Sequence, residues 1–205
     1  MFASIVAIVL GYLLGSISFS ILFALWLRKI DIRQHGSGNA GATNTLRVLG
    51  KGPALCVFLL DFAKGSAAAS IGYWLGDGNH WIPVLCGLAA IAGHNWPIFF
   101  RFKGGKGIAT TVGALVVWAF LPTLIAGLTA IAIIALTRYV SLGSLVLAVL
   151  LPVLVAAFGN EAPFIWGASF VGAIAILRHR KNIVKLLNGT ENKLGSGKKG
   201  VRHGA

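Results

Sequence analysis

The chain has 205 residues, 57% of them hydrophobic and only 11% charged, with Lys+Arg 18 against Asp+Glu 5 and a formal net charge of +13. A soluble domain carries about 25% charged residues, so that class is excluded. A nucleic-acid-binding protein of the usual kind is excluded too, because the basic residues stand between long apolar runs instead of on a polar scaffold. The balance reads as an integral membrane protein, in which seven spans of about 20 residues would use roughly 140 and leave about 65 for loops and tails.

The apolar runs fall at about 3 to 27, 53 to 75, 82 to 100, 108 to 137, 140 to 158 and 163 to 177. The first has no Lys or Arg before it and is followed by Arg28, Lys29 and Arg33. That is the reverse of a secretory signal peptide, so it should remain as a span with its N-terminus outside. Within it, Gly11-Tyr12-Leu13-Leu14-Gly15 is a G-x-x-x-G pattern suited to close helix packing. The fourth run is long for one span and short for two, since about 15 helical residues cover only some 22 Å. The positive-inside rule decides it. A turn near Leu121-Pro122-Thr123 puts seventeen of the eighteen basic residues on one side and leaves Lys64 inside the second span. The opposite loops then hold Asp77 and Glu161 and no Lys or Arg.

The expectation is therefore an all-α membrane protein with seven transmembrane helices, N-terminus outside and C-terminus cytoplasmic. Residues 1–190 form one integral membrane domain, and residues 191–205 form a flexible basic tail near anionic lipid. Cys56 and Cys86 lie inside apolar runs and suggest neither a metal site nor a disulfide. Asp61 and Lys64, in the second span, are i, i+3 partners and should pair or line a polar site, because lone ionisable groups are costly there.

Three cytoplasmic segments are richer in Gly, Asn, Ser, Thr and His than topology requires. The first runs from Gly36 to Arg47. Gly36 and Gly38 free backbone N–H groups to converge on an anion; Ser37, Asn39, Thr43 and Asn44 add neutral donors, and Arg47 adds a bidentate charge. The second, Gly93 to Gly107, ends in Gly104-Gly105-Lys106-Gly107 at the start of the next span. That arrangement places free N–H groups, a positive helix end and an ammonium at one point, the physics of phosphate binding. It is not a Walker loop, because Gly107 stands where Ser or Thr is needed. His94 reads as a loop or capping residue within reach of the site, and Trp96, Phe99, Phe100 and Phe102 read as interfacial anchors. The third segment starts at Arg178. On a continuing helix His179, Asn182, Ile183 and Leu186 share one inward face, while Arg178, Lys181 and Lys185 form a separate basic stripe facing lipid. Ser141 and Ser144 could also reach the same cavity.

No H-x-x-x-x-D pair, G-x-S-x-G elbow or H-E-x-x-H helix is present. What remains is a basic, donor-rich pocket for phosphate that must use His179 as base or take one from its substrate. A small anion transporter and a lipid-binding scaffold are the competing classes. The one-sided clustering of donors argues against the first, and the three motifs stay unexplained by the second.

G-S-G-N-x-G-A-T-N-x-x-R at Gly36 to Arg47, G-H-x-x-P-x-F-x-x-F-x-G-G-K-G at Gly93 to Gly107 and R-H-x-x-N-I-x-x-L-x-x-G-x-E at Arg178 to Glu191 together resemble the bacterial membrane-integral acyl-phosphate:glycerol-3-phosphate acyltransferases (PlsY). The resemblance covers essentially the whole chain. It implies a bacterial cell-membrane enzyme with its site facing the cytoplasm. Such an enzyme transfers a fatty acyl group from acyl phosphate to the 1-hydroxyl of glycerol 3-phosphate, giving lysophosphatidic acid and phosphate. It implies no cofactor, no metal and no nucleic-acid partner; its partners are the two substrates and membrane lipids. By motif position the resemblance makes Ser37, Arg47, Lys106, His179 and Asn182 the catalytic set. Gly36, Gly38, Asn39, Thr43, Asn44, His94, Gly104, Gly105 and Gly107 would contact substrate, and Glu191 would be structural; Ser141 and Ser144, outside the motifs, are added as substrate-binding candidates for their reach into the cavity.

Overall fold

A computed structural model of the chain describes residues 1–195; the rest of the expected basic tail, 196–205, lies outside the described residues. Helices account for the apolar runs, in the order α1 (Phe2–Ser16), α2 (Phe19–Arg28), α3 (Ala42–Leu49), α4 (Lys51–Leu75), α5 (Trp81–Asn95), α6 (Ile108–Trp118), α7 (Phe120–Thr137), α8 (Val140–Ala157), α9 (Ala162–Arg178) and α10 (Arg180–Leu187). No strand occurs among the described residues.

Lengths sort these helices. Among the described residues, five segments are long and apolar enough to cross a membrane: Phe2–Arg28 with its break, Lys51–Leu75, Trp81–Phe100, Phe120–Thr137 and Val140–Ala157. Taken together, α9 and α10 make a sixth, bent by 60°. Helix α6 has 11 residues, a rise of about 16 Å against a hydrocarbon core of about 30 Å. The expected seven full-length spans are thus five or six by length, with α6 as a short interior helix.

The long fourth run breaks at Ala119 (φ −149°, ψ 78°), slightly before the expected Leu121-Pro122-Thr123. Pro122 lies in the first turn of α7, where its missing N–H costs nothing, so it opens the new helix instead of making the turn. The Thr123 hydroxyl donates to the Ala119 carbonyl at 2.7 Å and steadies the break.

Close helix contact rests on glycines. A Cβ at Gly11 or Gly15 would overlap the Cys86 or Ala90 carbonyl of α5, so the G-x-x-x-G pattern lets α1 lie against that helix. A Cβ at Gly65 or Gly113 would likewise overlap the Thr110 or Phe62 carbonyl, which brings α4 and α6 together. Trp118, at the end of α6, fills the notch left by Gly87 and Gly167 and donates from its indole N–H to the Pro83 carbonyl at 3.2 Å. With Leu115, Leu147, Leu151, Val155, Phe164 and Val171 it forms the main core. At the end far from the three motifs, His80 Nδ1 meets Glu161 Oε2 at 2.6 Å and Phe164 stacks on the His80 ring, tying two connections together.

Candidate active site

The Gly36 to Arg47 motif is part loop and part helix. Asn44, fully buried on α3, accepts from the Ser37 N–H at 2.8 Å and donates to the Ile32 and His35 carbonyls at 3.1 and 3.0 Å. Its amide therefore shapes the loop instead of standing free as a donor. Gly36 turns at φ +62°, where a Cβ would overlap Asn44 Oδ1. Arg33, paired with Asp31 at 2.7 Å, donates to the Phe100 carbonyl at 2.8 Å and joins this motif to the second.

In the second motif Gly105 donates to the His94 carbonyl at 3.1 Å and Gly104 to the Asn95 carbonyl at 3.3 Å. The loop is laid flat on the end of α5, and a Cβ at either glycine would overlap His94. Gly107 then turns at φ +79° into α6, so the free N–H groups of that helix's first turn face the same space as Lys106. Beneath the loop is a buried ion cluster. Lys64 pairs with Asp61 at 2.7 Å and donates to the Ile17 carbonyl at the α1–α2 break at 2.7 Å, while Asp61 faces His94 Nδ1 at 3.5 Å.

The third motif bends at His179 where a continuous helix was expected. The inward face survives: His179 is buried and Asn182, Ile183 and Leu186 are half-buried, while their neighbours on α10 are exposed. His179 Nδ1 lies 2.7 Å from the Ala175 carbonyl. A carbonyl only accepts, so Nδ1 carries the hydrogen and Nε2 is left as an acceptor. Lys106 Nζ hydrogen-bonds Asn182 Oδ1, and Asn182 Nδ2 donates to Glu191 Oε1 at 2.9 Å. This chain aims the ammonium. Burial pushes the Lys106 pKa down to about 8, and Arg178, Arg47 and Lys185 add to the shift against the opposing pull of Glu191.

These motifs meet at one cavity of about 860 Å³. Its wall includes all five residues of the expected catalytic set, Ser37, Arg47, Lys106, His179 and Asn182. Gly38, Asn39, Thr43, Asn44, His94, Gly104, Gly107, Ser141 and Ser144 also line it; Gly36 and Gly105 do not. Ser144 bonds back to the Val140 carbonyl at 2.9 Å, whereas the Ser141 hydroxyl, buried, has no partner among the described residues. Part of the expected tail closes one side. Arg47 Nη2 reaches the Asn192 carbonyl at 3.4 Å, Arg138 holds the Leu194 carbonyl at 2.6 Å, and Lys193 lies over Tyr139.

Several contributors were missed by sequence reasoning. Arg178 does not face lipid: its guanidinium donates to the Gly105 carbonyl at 2.5 Å and lies 5.4 Å from the Trp96 ring centre. Arg178, Trp96, Lys181 and Lys185 all line the cavity, as does Asp61, for which a pairing or site-lining place was expected. Arg178 directly precedes His179 in the third motif, and that position was the available signal. The apolar arm of the cavity, walled by Val112, Ala130, Ile131, Ile134 and Leu147, had no signal beyond hydrophobicity.

A family model described as glycerol-3-phosphate acyltransferase matches residues 5–189. The glycerol-3-phosphate acyltransferase of Shouchella clausii (strain KSM-K16) is 54% identical over 201 residues, covering 95% of this chain and 98% of the relative. That of Halalkalibacterium halodurans is 53% identical over 190 residues, covering 90% and 92%. The crystal structure of PlsY (YgiH), an integral membrane glycerol 3-phosphate acyltransferase, in its glycerol 3-phosphate form superposes with a TM-score of 0.89 at 38% identity over 94% of this chain and 96% of that one. Its lysophosphatidic acid form gives 0.87, over 94% and 95%. With three motifs gathered on one cavity in an apolar helical fold and similarity along nearly its whole length, the chain belongs to the PlsY family of integral membrane glycerol-3-phosphate acyltransferases.

Proposed function

We propose that the chain transfers a fatty acyl group from acyl phosphate to the 1-hydroxyl of sn-glycerol 3-phosphate, forming lysophosphatidic acid and phosphate, the first acylation step of phospholipid synthesis. The observation that carries this reading is the join, within one cavity, of a cationic donor-rich mouth to an apolar arm. The mouth suits two phosphates and the arm suits an alkyl chain. The protein crosses the bacterial cell membrane with seven helical segments, α6 being the short one. Its N-terminus is outside and the cavity mouth opens to the cytoplasm, and residues 1–190, with Glu191 to Leu194 docked on the cavity, act as one catalytic unit without cofactor or metal.

In this mechanism the acceptor hydroxyl attacks the acyl carbon, and the bond from that carbon to the phosphate oxygen breaks. The departing phosphate takes the hydroxyl proton. Lys106, Arg47 and the N–H groups at the start of α6 stabilise the growing negative charge. Ser37 donates a hydrogen bond, His179 Nε2 orients the attacking hydroxyl, and Asn182 holds Lys106 in line. Replacing His179 by Ala should raise KM with a modest loss of kcat; a kcat loss above about 10⁴-fold would make it the general base.

The direct test supplies purified protein in detergent with glycerol 3-phosphate and either palmitoyl phosphate or palmitoyl-CoA. Lysophosphatidic acid from the acyl phosphate alone is expected. Product from the CoA ester alone would overturn the donor assignment.

A further inference from the structure

Gly127 differs from the glycines at the helix contacts; Gly52, which is equally open, lies exposed in the first turn of α4. Gly11, Gly15, Gly65 and Gly113 each press on the backbone of a neighbouring helix, but a Cβ at Gly127 would meet no atom within 4 Å. A glycine inside a helix weakens it, and at this position no packing contact offsets that cost. The space beside Gly127 belongs to the cavity: Gly127, Ala130, Ile131 and Ile134 all line it. Their spacing of i, i+3, i+4 and i+7 makes them one stripe along α7.

That stripe has a direction. Ile134 and Ala130 face Gly143 of α8, beside Ser144 at the polar end, and Leu147 lies one turn further in. Gly127 is the lining residue of α7 farthest from that polar end, seven positions from Ile134. Seven positions correspond to about 10 Å of helix. An extended alkyl chain built from C–C bonds of about 1.5 Å advances about 1.25 Å per carbon, so this length matches about eight carbons.

Resting on the acyl-transfer reading above, we infer that Gly127 sets the length of acyl chain the cavity accepts. The volume left by its missing side chain receives the distal methylenes of donor and product. Chains longer than about eight carbons run past this point, and shorter ones end at or before it. A larger side chain fills the inner end of the arm without touching the phosphate-binding mouth.

The experiment compares wild type with Gly127→Leu, Gly127→Ala and, as a control, Leu128→Phe, whose side chain is 58% exposed and off the cavity wall. Each is assayed with acyl phosphates of eight and sixteen carbons. Thermal stabilisation by lysophosphatidic acids of the same two lengths is measured separately. Gly127→Leu should lower the ratio of kcat/KM for the long donor over the short one by about tenfold or more, a size typical of steric discrimination in an apolar pocket. The stabilisation by the long product should shrink with it. Gly127→Ala should shift the ratio less and in the same direction, which decides the matter if the leucine variant does not fold. Leu128→Phe should leave it unchanged. Equal losses for both lengths, or an unaltered ratio, would overturn the inference. A wild type inactive with acyl phosphates but stabilised by lysophosphatidic acid would sink the donor assignment alone, and the product-binding ratio would still decide the role of Gly127.

Discussion

Lys106 owes its chemistry to burial. With its pKa pushed down to about 8, it carries its charge below that pH and loses it above, where an exposed lysine would stay charged to about 10.4. We expect kcat/KM for glycerol 3-phosphate, which reports the free enzyme, to fall as pH rises through about 8. Lys106→Arg should abolish that limb even if its activity is lower, because the guanidinium does not titrate there. Asp61 and Lys64 support the floor of the site in a different way. They are 2% and 5% exposed and paired at 2.7 Å, so Asp61→Asn leaves a buried ammonium without its counter-charge. A loss of about 3 kcal/mol is expected. Asp61→Asn with Lys64→Met should recover most of it, as read by thermal unfolding in detergent. At this scale the residue types were legible in the sequence but their partners were not. Asn44 looked like a free donor and instead holds the loop, and Arg178 looked like a lipid-facing charge and instead grips Gly105. One side chain's partner 73 positions away leaves no mark in local composition.

Among the elements, α6 links packing to chemistry. Its first turn faces the cavity and its flank lies on α4 through Gly113 and Gly65. Gly113→Leu should force α4 and α6 apart, since even its Cβ would overlap the Phe62 carbonyl. Overpacking of this kind costs about 1–3 kcal/mol. Because α6 begins immediately after Gly107, the Gly104–Gly107 loop, proposed to hold phosphate, should shift with it. The expected result is a lower unfolding temperature together with a raised KM for glycerol 3-phosphate, measured on the same preparation. The element boundaries show what periodicity could and could not reveal. Pro122 announced that the long run was interrupted, and the break came within a few residues of it. Nothing similar announced the bend at His179, because Arg178-His179-Arg180 is compatible with helix. Helix α3 was hidden in a segment singled out for its Gly, Asn and hydroxyl content, though Ala42 to Leu49 carries no helix breaker.

Across the whole molecule, one end collects the three motifs and the other holds the His80–Glu161 link. The proposed orientation follows from the distribution of Lys and Arg and has its own test. In a background of Cys56→Ser and Cys86→Ala, Asn79→Cys should react with a membrane-impermeant maleimide in intact cells. Asn188→Cys should react only after permeabilisation, and the reverse pattern would overturn the orientation. The sequence by itself determined that the chain is helical and belongs in a membrane, because apolar runs of span length leave the backbone no other way to satisfy its hydrogen bonds. It also singled out the three segments in which glycine, amide, hydroxyl and basic groups gather, since such groups are costly in so apolar a chain unless used. Only the tertiary structure decided that these segments share one cavity, that Glu191 and Asn182 aim Lys106, and that apolar residues of α6, α7 and α8 line the same cavity. Each of those depends on distances between residues far apart in the chain, which are set when glycine-lined helices pack against one another and which no local run of side chains records.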